Sequence, residues 1–161
     1  FQSVLVGVVG IAVAQSVYSI LSQSAAVGDA KRFMKFFRAG ILLCLALTIP
    51  GAVALVIAAP IAANLVHLTS VYNVFFTCIL LYAFSIPFES ISHLQLRAFY
   101  AMKNTLTPAI WGILGGISAI LFGYMLMDTL GVYSIAIGYT VGEIVQTVGL
   151  WIMLPTGCLV G

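Results

Sequence analysis

The sequence predicts an all-α integral membrane protein with about five transmembrane helices in an up-and-down arrangement. Three observations carry this. Hydrophobic residues make up 63% of the 161 positions and charged residues only 6%, where a water-soluble domain carries about 25% charged residues. The charges are gathered at a few places, separated by apolar stretches long enough to cross the ~30 Å hydrocarbon core, which takes about 20 residues of helix. All six lysines and arginines fall on two connections, 31–38 and 97–103, which five alternating spans place on the same side of a membrane.

The first span is expected over 1–24. The chain opens with Phe rather than Met, inside an apolar run and without a charged leader or cleavage site. It therefore reads as an excerpt of a longer polypeptide rather than as a signal peptide. From Gln15 to Ser24 the run becomes more polar and approaches an interface. Gly28-Asp29 then marks a turn, with Asp29 as N-cap of the next helix. Lys31, Arg32, Lys35 and Arg38 are interleaved with Phe33, Met34, Phe36 and Phe37. This pattern fits a short amphipathic helix at headgroup level that runs into the second span. These four cations, with Lys103, are candidate lipid-headgroup and topology residues; a role in substrate binding is the alternative.

No charge occurs from Ala39 to Phe88. Fifty residues of helix would be about 75 Å long, so two spans are hidden here. The second is expected over 39–59, with a kink at Pro50-Gly51 that neighbouring helices must re-satisfy. The connection over 60–72 holds Asn64, His67, Thr69 and Ser70, and His67 reads as a wet loop residue. The third span, 72–101, can bend at Pro87. Its last third carries Glu89, His93 and Arg97 at successive i, i+4 steps, which stacks all three on one face. Either this ladder lines a polar cavity, or its members pair with one another near the interface while Arg97 snorkels outward.

A polar turn through Lys103, Asn104 and Thr105 leads to the fourth span, 108–127, with Pro108 at its first position, where a missing N–H costs nothing. Asp128 to Gly131 turns the chain into the fifth span, 132–153, which ends before Pro155. Gly112, Gly116, Ala119 and Gly123 mark one face of the fourth span, and Ser134, Gly138 and Gly142 one face of the fifth. Small residues at this spacing let two helix backbones approach closely, so an antiparallel pair is expected. Glu143 lies near the middle of the fifth span, one turn before Gln146, and the two are expected to point roughly the same way. A carboxylate at that depth is costly in lipid. It is either a cavity or coupling residue, or one end of a satisfied hydrogen bond between helices.

The distribution of cations orients the chain, because loops rich in Lys and Arg stay in the cytoplasm. A net charge of +2, without a phosphate-tracking patch, argues against nucleic-acid binding. Cys44, Cys78 and Cys158 show no metal-ligand spacing, and neither metal nor cofactor is expected. No GxxxxGK[ST] loop, HExxH, nucleophile elbow or kinase signature is present, and nothing pairs a nucleophile with a base, so enzymatic activity is not expected.

One stretch carries a resemblance. Arg97-Ala98-Phe99-Tyr100-Ala101, followed by Asn104-Thr105-Leu106-Thr107-Pro108, resembles the MurJ/MviN family of lipid II flippases, whose members show an RAFYA-like helix end and a (D/N)T-x-TP turn. Leu21-Ser22-Gln23-Ser24-Ala25-Ala26-Val27-Gly28-Asp29 is similar to the family's LSxxAAxGD segment, and Arg32-Phe33 suits its next helix start. Ile49-Pro50 and Ala59-Pro60-Ile61 fall where the family has a mid-helix proline and a later PI pair. The small-residue run from Gly131 to Gln146 resembles the family's small-rich penultimate helix, with Gln146 in place of a common Asn. Single motifs are weak, but their order and spacing cover nearly the whole chain.

The resemblance implies that the five spans correspond to the eighth to twelfth of about fourteen helices. They would form most of the C-terminal lobe of a MATE-like transporter of the multidrug/oligosaccharidyl-lipid/polysaccharide exporter superfamily. It implies alternating access, a lipid substrate linked to undecaprenyl pyrophosphate, membrane lipids and an N-terminal lobe as partners, and residence in the bacterial cytoplasmic (inner) membrane. Two departures stand out. Ser19 replaces a proline usual before the LS pair, and the family's cavity arginines fall outside this chain. Glu89, His93, Arg97, Glu143 and Gln146 are therefore candidate cavity or coupling residues by their chemistry, not by inheritance. The alternatives are a polysaccharide-lipid flippase or drug/cation antiporter of the same superfamily, or a non-transporting membrane scaffold.

Overall fold

Every described element is an α-helix: α1 (Ala12–Val27), α2 (Ala30–Leu65), α3 (Tyr72–Ala101), α4 (Leu106–Leu130) and α5 (Tyr133–Gly157). The computed structural model describes residues 11–65 and 72–157. The start of the expected first span, with His67, Thr69, Ser70 and Cys158, lies outside the described residues. Helices α2 to α5 are long and apolar enough to cross a membrane, and the described part of α1, 16 residues, is one turn short of the ~20 a span takes. Solvent exposure is inverted relative to a water-soluble protein. Leu42, Ile57, Ile120 and Tyr124 lie outside at 68–79% exposure, while Thr48, Ser90, Ser92, Gln95 and Thr147 are buried. In lipid an apolar exterior costs nothing, and polar groups must turn inward to find partners.

The two turns at the basic end are built alike. At the end of α1, Gly28 stands at φ 73°; its N–H donates to the Ala25 carbonyl (3.2 Å) and the Asp29 N–H to the Ser24 carbonyl (3.1 Å). This is a Schellman closure, which needs a left-handed residue at that position. Asp29 then caps α2, its Oδ1 accepting the Arg32 N–H at 3.0 Å. At the end of α3 the same pattern recurs, with the Lys103 N–H on Tyr100 and the Asn104 N–H on Phe99. Asn104 Oδ1 accepts the Thr107 N–H (3.1 Å) while its amide donates to Thr107 Oγ1 (2.9 Å). The sequence segments GD and KNTLT are thus helix stop-and-start signals of one kind.

Element boundaries differ from expectation in instructive ways. The amphipathic segment and the second span are a single helix, α2, that runs through Pro50 and Pro60 rather than stopping at Ala59. Ending a helix in lipid would strand several backbone groups where no water can bind them, so losing one bond at a proline costs less than losing a turn. Helix α4 starts at Leu106 instead of Pro108, because Asn104 supplies the cap two residues earlier than the proline suggested. It ends at Leu130, Thr129 Oγ1 donating back to the Leu126 carbonyl, so Asp128 belongs to the helix and not to the turn. Helix α5 continues to Gly157, beyond the expected stop at Met153.

With 36 residues, α2 is about 54 Å long, so its basic first turns extend past the hydrocarbon. Phe33 and Phe37 are buried there, in one cluster with Leu21, Leu94, Phe99 and Leu150, while Lys31, Arg32, Lys35 and Arg38 are exposed. The aromatic face of the amphipathic segment therefore packs onto protein and not into lipid. A smaller cluster, Ala52, Ala83 and Ile86, joins α2 to α3 further along. Helices α4 and α5 form the expected antiparallel pair. A Cβ placed on Gly142 would come 2.7 Å from the Gly115 carbonyl, and one on Gly138 would come 2.8 Å from the Gly123 nitrogen. The seam on α4 keeps Ala119 and Gly123 of the expected stripe but takes Gly115 in place of Gly116, which has open space beside it.

Candidate functional site in the α3–α5 seam

Helix α5 packs on both α3 and α4, while α3 and α4 barely meet. The glycine seam pins one side of α5, and the next face round, about 100° away, meets the polar third of α3. There Gln95, fully buried, donates from Nε2 to the Thr147 carbonyl at 3.1 Å, and Thr147 Oγ1 donates to the Phe88 carbonyl at 3.2 Å. One turn away, Ser92 Oγ lies 2.9 Å from the Glu89 carbonyl and 3.3 Å from Glu143 Oε2. Its single proton serves one of the two at a time. The Tyr139 hydroxyl hydrogen-bonds to the Glu89 side chain, and its ring sits tilted against Tyr82 with centroids 5.8 Å apart. Glu89 and Glu143 are near enough to repel each other.

This arrangement puts two carboxylates, two tyrosines and a serine within the span thickness, on facing helices. Glu89, His93 and Glu143 all stay half-buried; none is sealed in the core. Away from bulk water the repulsion between two carboxylates is poorly screened, so the site suits a positive charge between them.

The candidates from sequence divide into three groups. Glu89 and Glu143 come together across helices. His93 lies between Glu89 and Arg97 and feels both, as the i, i+4 ladder requires. Arg97 turns toward α1, its guanidinium 5.9 Å from the Tyr18 ring, where a cation over an aromatic face is stabilised. Gln146 does not join Glu143. Its side chain lies against Gly115 of α4, because a step of three residues is 300° and not a full turn, and α5 has a different neighbour on each side. Lys31, Arg32, Lys35, Arg38 and Lys103 lie at the basic end, exposed. Sequence reasoning misses Ser92, Gln95, Tyr139 and Thr147. A signal for two of them exists: Tyr139 stands four residues before Glu143, and Ser92 three after Glu89.

The family described as lipid II flippase MurJ matches residues 1–158. The chain belongs to the MurJ lipid II flippase family. Among solved structures, one titled "Lipid II flippase MurJ, inward closed conformation" is similar with a TM-score of 0.82 at 20% identity, over 99% of this chain and 35% of that one. At that identity the likeness establishes the MurJ fold. The chain thus spans about a third of the length of that MurJ structure. Comparison with curated proteins finds no match.

Proposed function

We propose that the chain supplies helices eight to twelve, most of the C-terminal lobe, of a flippase that moves lipid-linked peptidoglycan precursor across the bacterial inner membrane by alternating access. Membership of the MurJ family supports the class of transport. The observation that carries a mechanistic role for this chain is the half-buried Glu89–Tyr139–Ser92–Glu143 cluster, polar and acidic at a depth where such groups are costly.

In this proposal the seam is a coupling element. A facing N-terminal lobe closes the cavity and supplies the arginines that hold the pyrophosphate. Occupation of the carboxylate pair by a cation or proton relieves the repulsion between α3 and α5, and its release restores it. Moving one such charge through 100 mV is worth about 2.3 kcal/mol, enough to bias two states roughly fiftyfold. The 161-residue stretch holds only one side of such a cavity, so lipid flipping by this stretch alone would refute the proposal.

The test is complementation of a flippase-depleted strain by the intact protein carrying Glu89→Gln, Glu143→Gln or both. Loss of growth at normal protein level, with lipid II flux in vesicles no longer responding to membrane potential, is expected. Full growth of the double variant would favour a non-transporting scaffold.

A further inference from the structure

The two turns at the basic end flank an open cleft of about 470 Å³, lined by Ser22, Ser24, Asp29, Phe33, Met102 and Lys103 among others. That volume lies within the range of small-ligand sites. Asp29 and Lys103 are its charged lining residues, and no ion pair joins them among the described residues. Ser24 is 1% exposed, and its Oγ has no hydrogen-bond partner.

Lys103 adds a second line. Among the described residues it is the one non-glycine at positive φ, 59°. The matching position of the α1–α2 turn is Gly28, the residue such a position favours. A lysine there costs about 1 kcal/mol relative to glycine, and the turn gains nothing in geometry from it. What it gains is an ammonium at the cleft rim. The depth is that of headgroups: Tyr100 and Arg97 of α3 end the span one turn away, as aromatic and basic residues do at an interface.

We propose that this cleft binds the headgroup of a phospholipid that carries both a phosphate and a primary ammonium. Lys103, exposed at the rim, meets the phosphate. Asp29, whose Oδ1 already caps α2, keeps Oδ2 for the ammonium. One anion and one cation on separate walls complement a zwitterion better than an anion, because the Asp29 carboxylate would repel a purely anionic headgroup. The preference for ethanolamine over choline follows, since a quaternary ammonium has no N–H to donate.

Two variants delete the charges and keep the turns. Asp29→Asn retains an N-cap of equal quality, and Lys103→Gly relieves the left-handed residue. The intact protein in detergent is mixed with phosphatidylethanolamine, phosphatidylcholine and phosphatidylglycerol of matched acyl chains, and retained lipid is read by native mass spectrometry. Retention of phosphatidylethanolamine over phosphatidylcholine by about threefold, the size of an exposed ion pair, is expected. D29N should abolish that preference, and K103G should lower retention of all three lipids. Equal retention of ethanolamine and choline lipids by the parent protein, phosphatidylglycerol retained above both, or an unchanged preference in D29N would each overturn the proposal.

Discussion

Replacing Gly142 by alanine tests the packing that positions the α3–α5 seam. Its added Cβ would sit 2.7 Å from the Gly115 carbonyl and 2.8 Å from Ala119 Cβ. The first obstacle is backbone and cannot rotate away, so α5 must move off α4. Overpacking of this kind costs about 1–3 kcal/mol. Glycine to alanine in a helix also gains about 1 kcal/mol in propensity, which by itself would mask part of the loss. Gly116→Ala supplies the control, because nothing lies within 4 Å of its added Cβ and the propensity gain is the same. The difference between the two variants therefore isolates the packing cost, about 1–3 kcal/mol. Unfolding of the intact protein, followed by tryptophan fluorescence against denaturing detergent, measures it. Equal stabilities for G142A and G116A would refute the assignment of the seam to Gly115, Ala119, Gly138 and Gly142. A shift of α5 also moves Glu143 relative to Ser92, so G142A should lower transport where G116A does not.

Three further outcomes are expected. Asn104→Ala removes both halves of the bond with Thr107 and should cost about 1 kcal/mol, whereas Asn104→Asp should keep most of it; the same detergent titration checks both. Gly28→Ala forces a Cβ into a left-handed residue and should cost about 1 kcal/mol, although no neighbour lies within 4 Å, so a loss would be conformational and not steric. Ser92→Ala removes the hydroxyl beside Glu143. It should change stability by only about 0.6 kcal/mol, the mean for a hydrogen bond between membrane helices, yet lower lipid II flux several-fold; unaltered flux would separate Ser92 from the transport cycle.

Composition and charge placement alone determined that the chain is helical, spans a membrane several times and keeps its cations at one end. Those conclusions depend on transfer from water to lipid, which is a property of residue type and needs no neighbours. Asp29 could be read as a cap for the same reason, since a cap acts on its own backbone within three residues, whereas Pro108 drew the start of α4 past the cap that Asn104 supplies. The glycine pattern gave away that the last two helices pair, with Gly138 and Gly142 facing Ala119 and Gly123, but it took Gly116 for Gly115. Gly115 and Gly116 differ by about 100° on the helix, and only the partner's position chooses between them. The candidate site divided in the same way. Glu89, His93 and Arg97 were visible as a ladder because their spacing is local. That Glu143 meets Ser92 while Gln146 turns to Gly115 results from α5 lying between two helices. The contact between Ser92 and Glu143 joins residues 51 positions apart in the chain, and only the packed structure could decide it.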